Sequence, residues 1–193
     1  MKNKKKSVFF VIDCDDVLAK CNAYALSLLG KEKRKIFSIR DINRWGILGN
    51  ELDERMKFFY DPKFVESQPL YEGCTKFLKE LQGYGAVIVS TSVPDCCVVA
   101  REKFIQQHWP FLDGYYIGND KVTAIPKKKD SVVYMLDDNI SHLCACKDSN
   151  VIPVVMSRPW NVTWHKFRRV STFEEFLNIV KVKELDDGNG KGF

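Results

Sequence analysis

Three aspartates lie close together near the start of the chain. Asp13, Asp15 and Asp16 follow an apolar run at residues 8–12. Carboxylates this close repel one another and raise at least one pKa unless a cation lies among them. A hard divalent ion such as Mg²⁺ would relieve the repulsion, because it binds carboxylate and water oxygens. An exposed acidic turn with an aspartate at a helix N-cap is the alternative explanation.

A second acidic pair and two hydroxyls follow other apolar runs. Asp137 and Asp138 come directly after residues 132–136, and Thr91 and Ser92 come directly after residues 86–90. Two strand ends that bring carboxylates to one edge of a sheet can share a metal ion, and hydroxyls suit phosphate oxygens. For the hydroxyls taken alone, turn formation and helix capping are the simpler explanation.

The elements that would position these residues can be read from the apolar pattern. Short runs rich in β-branched or aromatic residues, typical of buried parallel strands, lie at 8–12, 86–90, 115–117, 132–136 and 151–156. Helical spacing covers residues 74–81 and 173–180, and Thr172 with Glu175 matches a capping box before the second segment. The alternation predicts a doubly wound, mostly parallel, Rossmann-like α/β sheet that binds ligands at the carboxyl ends of its strands.

One long segment interrupts the alternation. Residues 19–68 separate the first strand from the next helix, and they contain a helical pattern at 21–29 and an aromatic second half. A structureless loop of that length is uncommon in a compact domain. We therefore expect residues 7–18 and 69–185 to form the α/β core, residues 19–68 a small helical cap, and residues 1–6 and 186–193 loose termini.

Composition and charge exclude several classes of protein. The chain has 193 residues, of which 45% are hydrophobic and 28% charged, as in a folded globular protein. Four lysines lie within residues 2–6, and without them the formal net charge of +5 falls to +1, which argues against a basic nucleic-acid-binding body. No apolar stretch approaches a membrane span, and seven scattered cysteines indicate reduced thiols, so a cytoplasmic location is expected.

In this order along the chain, the residues resemble the haloacid dehalogenase superfamily of phosphohydrolases. Residues 13–18 are similar to its first motif, Thr91 to its second, and Asp137 with Asp138 to its fourth. The third motif is a lysine, for which Lys121 has the more similar surroundings and Lys127 is the alternative. Within the superfamily, segments 41–45, 64–70 and 157–161 resemble the 5′(3′)-deoxyribonucleotidases.

The resemblance implies a Mg²⁺-dependent phosphomonoesterase. Asp13 would attack phosphorus and form an aspartyl-phosphate, and Asp15 would act first as general acid and then as general base. The ion would be held by Asp13, the Asp15 main-chain carbonyl and Asp137, while Asp138 would orient metal-bound water or Lys121.

The α/β core is expected to bind the phosphate of the substrate, and the cap its nucleoside. The resemblance assigns Thr91, Ser92 and Lys121 to the phosphate oxygens. In the cap, Trp45 and Phe64 are candidates for stacking on a nucleobase, although aromatic side chains in a helical insertion are more often core.

The expected binding partner is a small-molecule nucleoside monophosphate. Neither a membrane nor a stable nucleic-acid partner is expected, and the sequence leaves open whether the protein forms a homodimer. Two alternatives stay open at this point. One is a phosphatase for another small phosphate ester or for a nucleic-acid 3′-phosphate end. The other is a non-catalytic, receiver-like module phosphorylated on Asp13.

Overall fold

The computed structural model describes residues 7–146 and 150–188. All strands within these residues belong to one parallel sheet, which confirms the predicted fold class. The strands are β1 (Ser7–Asp13), β2 (Ala86–Thr91), β3 (Gly114–Ile117), β4 (Ser131–Asp137), β5 (Val151–Met156) and β6 (Arg168–Val170). The α-helices are α1 (Cys21–Lys33), α2 (Pro62–Glu66), α3 (Cys74–Gln82), α4 (Val98–His108), α5 (Ile140–Ala145) and α6 (Phe173–Gly188). Short 3₁₀ helices span Ile39–Asp41, Glu51–Tyr60, Asp95–Cys97, Lys121–Ala124 and Pro159–Asn161.

The strand order places three polar strand ends side by side. The order is β3-β2-β1-β4-β5-β6, so β1 lies between β2 and β4, where the chain changes its direction of winding across the sheet. Ile12 pairs with Leu136 and Asp13 with Ser90, so Asp13, Thr91 and Asp137 emerge at the same edge. Ligands of such sheets bind at this switch point.

Apolar side chains pack on both faces of the sheet. Phe10 and Ile12 face one cluster, with α3, α4 and α6, while Val11 faces another with α5. The apolar positions predicted for α3 are all buried. β6 escaped the sequence pattern because it is three residues long and begins with two arginines at the sheet edge.

At the start of α6 the predicted capping box is half right. The Glu175 amide donates to Thr172 Oγ1 at 3.2 Å, as expected, but the Glu175 carboxylate accepts from the Ser171 amide instead of the Thr172 amide. The helix continues past residue 185 to Gly188, and the expected loose residues 1–6 and 189–193 lie outside the described residues.

The insertion between β1 and α3 is helical, and its two ends run side by side. The Lys20 amide donates to the Pro69 carbonyl at 2.7 Å, and the Tyr71 amide donates to the Leu18 carbonyl at 2.8 Å. Helix α1 extends beyond the predicted residue 29 to Lys33, and Arg34 ends it in a left-handed conformation (φ 54°). We call residues 19–68 the cap.

The cap packs against the α/β core at two places. Phe64 and Val65 contact Cys97 and Ala100, at and beside the start of α4. On the other side, a cluster of Leu26, Ile42 and Leu52 packs against Trp160, which follows β5. Between residues 7 and 188, excluding 147–149, no helix has the length and apolarity to cross a membrane.

Candidate active site

Three buried carboxylates meet beside a buried lysine at the switch point. Asp13, Asp137 and Asp138 each offer an oxygen within 4.8 Å of the others, and we call these residues the carboxylate cluster. The Lys121 Nζ lies 2.6 Å from Asp13 Oδ1 and 2.8 Å from Asp137 Oδ2. His142 adds a contact from Nδ1 to Asp137 Oδ2 at 3.1 Å.

The donor set of this cluster suits a divalent metal ion. Asp138 Oδ2 accepts from the Trp160 indole at 2.8 Å, but the buried Asp138 Oδ1 has no hydrogen-bond partner among the described residues. An unpaired buried carboxylate oxygen is costly, and a hard cation would satisfy it. The geometry therefore groups Asp138 with Asp13 and Asp137, whereas the family resemblance implies only an orienting role for it. The Asp15 side chain lies outside this group.

Burial and mutual repulsion shift the acidity of the cluster. Burial raises the pKa of Asp13 to about 6, an effect that the Asp137 charge strengthens and the Lys121 ammonium opposes. Burial and the charges of Asp13 and Asp137 raise the pKa of Asp138 well above its usual range. For Asp137, burial would raise the pKa, but the Lys121 charge and the contact with His142 outweigh burial and lower it. A divalent cation would favour the fully ionised cluster by displacing protons.

We expect Mg²⁺ at a hundredfold excess over its Kd to stabilise the protein by about 2.7 kcal/mol, because only the folded chain assembles the cluster. For a chain of this size that is a rise in Tm of roughly 5–10 °C. Differential scanning fluorimetry after chelation and metal addition measures it. Asp138→Asn should remove most of the rise, and Asp95→Asn, an exposed aspartate outside the cluster, should retain it. An equal rise in both variants would contradict a site at Asp138.

Of the two candidate lysines, Lys121 is the one that reaches the carboxylates. It begins a 3₁₀ helix after β3, with the Asp120 side chain accepting from the Val122 amide at 3.1 Å as a cap. Its side chain is 2% exposed, and the charges of Asp13 and Asp137 raise its pKa despite burial. Lys127 is exposed.

Asp15 lies next to the cluster but has different partners. The Thr91 hydroxyl, at the end of β2, donates to Asp15 Oδ2 at 3.1 Å, and Arg101 Nη2 from α4 donates to Asp15 Oδ1 at 2.7 Å. Both oxygens of the Asp15 carboxylate are thus held in place.

Ser92, the other predicted phosphate-binding hydroxyl beside Thr91, is partly exposed, and its hydroxyl contacts Asn119 Oδ1 at 2.5 Å.

Asp16 serves the turn that leads into the cap. Its backbone is left-handed (φ 55°), and its buried carboxylate accepts from the Asn22 amide at 3.0 Å and from Asn22 Nδ2 at 2.6 Å. Burial raises the pKa of Asp16 to about 7, although the Asn22 hydrogen bonds oppose the rise. Arg55 Nε donates to Asn22 Oδ1 at 2.9 Å, which ties the cap to this turn.

A cavity of about 230 Å³ lies between cap and core and reaches the side of Asp15. Most of its wall is apolar or aromatic, with a few amide and charged groups. Lining residues include Trp45, Met56, Phe59, Phe64, Gln68 and Trp160. A small ligand with a flat apolar part fits these surroundings.

The cavity is lined by both of the aromatic residues that were predicted to stack on a nucleobase. The two differ in exposure and in the side chains around them. Trp45 is 50% exposed, with its ring centroid 6.0 Å from that of Trp160. Phe64 is 3% exposed and stacks on Tyr24 at 5.2 Å and on Phe58 at 6.0 Å. Phe64 is therefore chiefly a core residue of the cap, and Trp45 is the more available surface.

Sequence reasoning missed several polar residues of the site. Arg101 and Gln68 were not singled out, because a polar residue in a helix or a loop gives no sign that it will be buried. His142 carries no such sign either, although its ring contacts Asp137. A sequence signal existed for Trp160, which lies in the 157–161 segment on which the family resemblance partly rests.

Of the comparisons with known proteins, the one with solved structures shows the fold. No protein-family model and no curated protein sequence matches the chain. Among solved structures, a candidate haloacid dehalogenase-like hydrolase from Burkholderia xenovorans superposes with a TM-score of 0.61 at 16% identity, covering 90% of this chain and 96% of the other. The chain has the haloacid dehalogenase fold. At this level of identity the likeness concerns the fold alone.

Two further solved structures are similar to this chain. One is the candidate hydrolase YfnB of Bacillus subtilis, bound to magnesium, with a TM-score of 0.59 at 13% identity, covering 91% of this chain and 99% of the other. The other is a candidate phosphatase from Clostridium difficile, with a TM-score of 0.59 at 13% identity, covering 92% of this chain and 100% of the other.

Proposed function

We propose that the protein is a Mg²⁺-dependent phosphomonoesterase that hydrolyses nucleoside monophosphates. The observation that carries the proposal is the position of the cavity, which has Asp15 in its wall and lies beside the carboxylate cluster with its buried lysine. The cavity suits a base and sugar, while the strand ends suit a phosphoryl group and a cation. The hydrolase and phosphatase descriptions of the similar structures, one of them with magnesium, support the same reaction class.

The first half-reaction forms a bond between Asp13 and phosphorus. An ionised Asp13 oxygen attacks in line, the bond from phosphorus to the nucleoside oxygen breaks, and Asp15 gives its proton to that oxygen. The Lys121 ammonium, which contacts Asp13, and the Thr91 hydroxyl, which contacts Asp15, would bind the phosphoryl oxygens. A bound Mg²⁺ would supply further neutralisation of charge, with Asp13, Asp137 and Asp138 as its carboxylate ligands.

The second half-reaction restores Asp13. Asp15, now ionised, takes a proton from water, the water oxygen attacks phosphorus, and the bond to Asp13 breaks to release inorganic phosphate. The position of Asp15 in the cavity wall, with Thr91 at its other side, allows one carboxyl group to serve both steps.

A screen of phosphate esters tests the proposal. The chelated protein is assayed with and without Mg²⁺ on ribo- and deoxyribonucleoside 5′- and 3′-monophosphates, sugar phosphates, oligonucleotides with 3′-phosphate ends and p-nitrophenyl phosphate. We expect Mg²⁺-dependent release of phosphate with nucleoside monophosphates as the best substrates. Preference for a sugar phosphate or an oligonucleotide end would replace the substrate class, and no hydrolysis of any ester would leave the receiver-like alternative.

The cap should select the nucleoside, because the phosphoryl group and the ion are common to all monophosphates. We expect Trp45→Ala to lower kcat/KM for the preferred nucleotide by the ~1–3 kcal/mol of a stacking contact, about 5- to 150-fold. Hydrolysis of p-nitrophenyl phosphate should change far less.

Ile47→Ala is the matched control, since Ile47 is an exposed apolar residue of the same loop outside the cavity wall. Equal losses on both substrates in folded Trp45→Ala protein would mean that Trp45 serves cap closure instead of recognition. Phe64→Ala is the wrong probe, because loss of a buried Phe costs ~3–5 kcal/mol of stability.

A further inference from the structure

Arg101 is a buried charge whose position needs an explanation. It lies on α4 with its side chain 1% exposed, and its guanidinium Nε has no hydrogen-bond partner among the residues described. A buried guanidinium costs several kcal/mol unless it is paired, and apolar residues of similar volume often stabilise a protein as well or better. Anchoring α4 therefore does not by itself require an arginine here.

The contacts of Arg101 converge on Asp15 and its surroundings. Nη2 donates to Asp15 Oδ1 at 2.7 Å and to Gln68 Oε1 at 3.0 Å, and Nη1 contacts Cys14 Sγ at 2.6 Å. Asp15 is its ion-pair partner in the described part of the chain. Arg101, Asp15 and Gln68 all line the cavity.

The same contacts separate Asp15 from the carboxylate cluster. The cluster that suits a metal ion consists of Asp13, Asp137 and Asp138, although Asp15 is only two residues from Asp13 in the chain. With Arg101 on one oxygen and Thr91 on the other, Asp15 is directed to the cavity side. That is the side from which the alcohol part of a phosphate ester would leave.

We propose that Arg101 is a positioning residue for Asp15: its guanidinium keeps the Asp15 carboxyl group out of the metal-binding cluster and aimed at the leaving oxygen of the substrate. This inference rests on the proposed phosphomonoesterase function. Arg101 acts through Asp15 and takes no part in the exchange of bonds at phosphorus. Its contribution is therefore limited to the steps in which Asp15 transfers a proton.

Leaving-group dependence distinguishes this role from a structural one. A nucleoside oxygen needs a proton as it leaves, whereas p-nitrophenolate departs without one. The ratio kcat/KM reports the steps up to breakage of the ester bond, before the general-base step. We expect Arg101→Met to lower kcat/KM roughly 10- to 100-fold for the nucleotide, a part of the ~10²–10⁴-fold of general acid catalysis. The loss on p-nitrophenyl phosphate should stay within about threefold.

Two further variants complete the experiment. Arg101→Lys retains a cation near Asp15 but cannot make all the contacts at once, so it should lose less than Arg101→Met on the nucleotide and nothing on p-nitrophenyl phosphate. If Arg101→Met does not fold, Arg101→Lys still provides the comparison of the two substrates. Lys103→Met, an exposed position on the same helix, should leave both substrates unchanged.

A double-mutant cycle gives the decisive comparison. In an Asp15→Asn background, Arg101→Met should cost little more, because the group it positions is already gone. Equal losses on both esters in a folded variant, or independent effects in the cycle, would overturn the proposal. Failure of the proposed function is detected separately, by assaying the wild-type protein. If it hydrolyses another alkyl phosphate but not nucleotides, that ester replaces the nucleotide in the comparison. If it hydrolyses no phosphate ester, both the proposed function and the role of Arg101 are overturned.

Discussion

We expect Asp13→Asn to abolish hydrolysis of every phosphate ester, because an amide cannot form the aspartyl-phosphate. Asp15→Asn should leave attack at phosphorus possible and cost ~10²–10⁴-fold on an alkyl ester, since it removes the general acid and base. Steady-state kinetics on both variants measure the difference. The two residues are suited to comparison because both lie at the same strand end but differ in their partners, Lys121 for Asp13 and Arg101 for Asp15.

The covalent group itself can be located. Acid quenching during turnover and peptide mapping by mass spectrometry should place the phosphoryl group on Asp13. Asp15→Asn should still form this adduct, at a reduced rate, while Asp13→Asn should not. A phosphoryl group on Asp137 would show that the roles of the two strand ends are reversed.

Lys121→Gln should lower kcat/KM by ~10²–10³-fold, the usual cost of losing one donor that stabilises charge in the transition state. Lys127→Gln is the matched control, an exposed lysine nearby that should have no effect. Lys121 bridges Asp13 and Asp137 at 2.6 and 2.8 Å, so its loss also leaves buried carboxylates without their cation.

The stability of Lys121→Gln gives a second readout. Removing one partner of a buried ion pair costs ~3–5 kcal/mol, and a bound divalent ion should restore part of that loss. Chemical denaturation with and without Mg²⁺ therefore should show a larger stabilisation by the ion in Lys121→Gln than in the wild-type protein. The same loss of activity in Lys127→Gln would contradict the assignment of Lys121.

The strand ends could be predicted because they combine two strong local signals. A short β-branched run followed by Asp13, or by Asp137, marks both a buried strand and the point where it meets solvent or ligand. The same reasoning located Thr91, which is the last residue of β2. Parallel order then requires that these ends share an edge.

Other parts of the site depend on tertiary contacts that leave no local pattern. Arg101 occupies a helix position where an arginine is ordinarily solvated, and only the packing of the cap against α4 shows that it is buried. Residues 51–60, which the sequence assigns only to the cap, form a 3₁₀ helix whose start is fixed by Asn50 and Asp53. The sequence does not decide which of Lys121 and Lys127 is the lysine of the third motif, because the two differ in burial, which leaves no local pattern.

The pairing of the two ends of the cap has a consequence for folding and for evolutionary change. Hydrogen bonds join Lys20 to Pro69 and Leu18 to Tyr71. The whole insertion is therefore a closed loop whose two ends leave the core side by side. The entropy of closing such a loop grows only logarithmically, and doubling its length costs about 0.6 kcal/mol. Residues could therefore be added to or lost from the middle of the insertion at little cost to the sheet. Under the proposed function, specificity resides in the cap and chemistry in the strand ends, so the two can diverge at different rates.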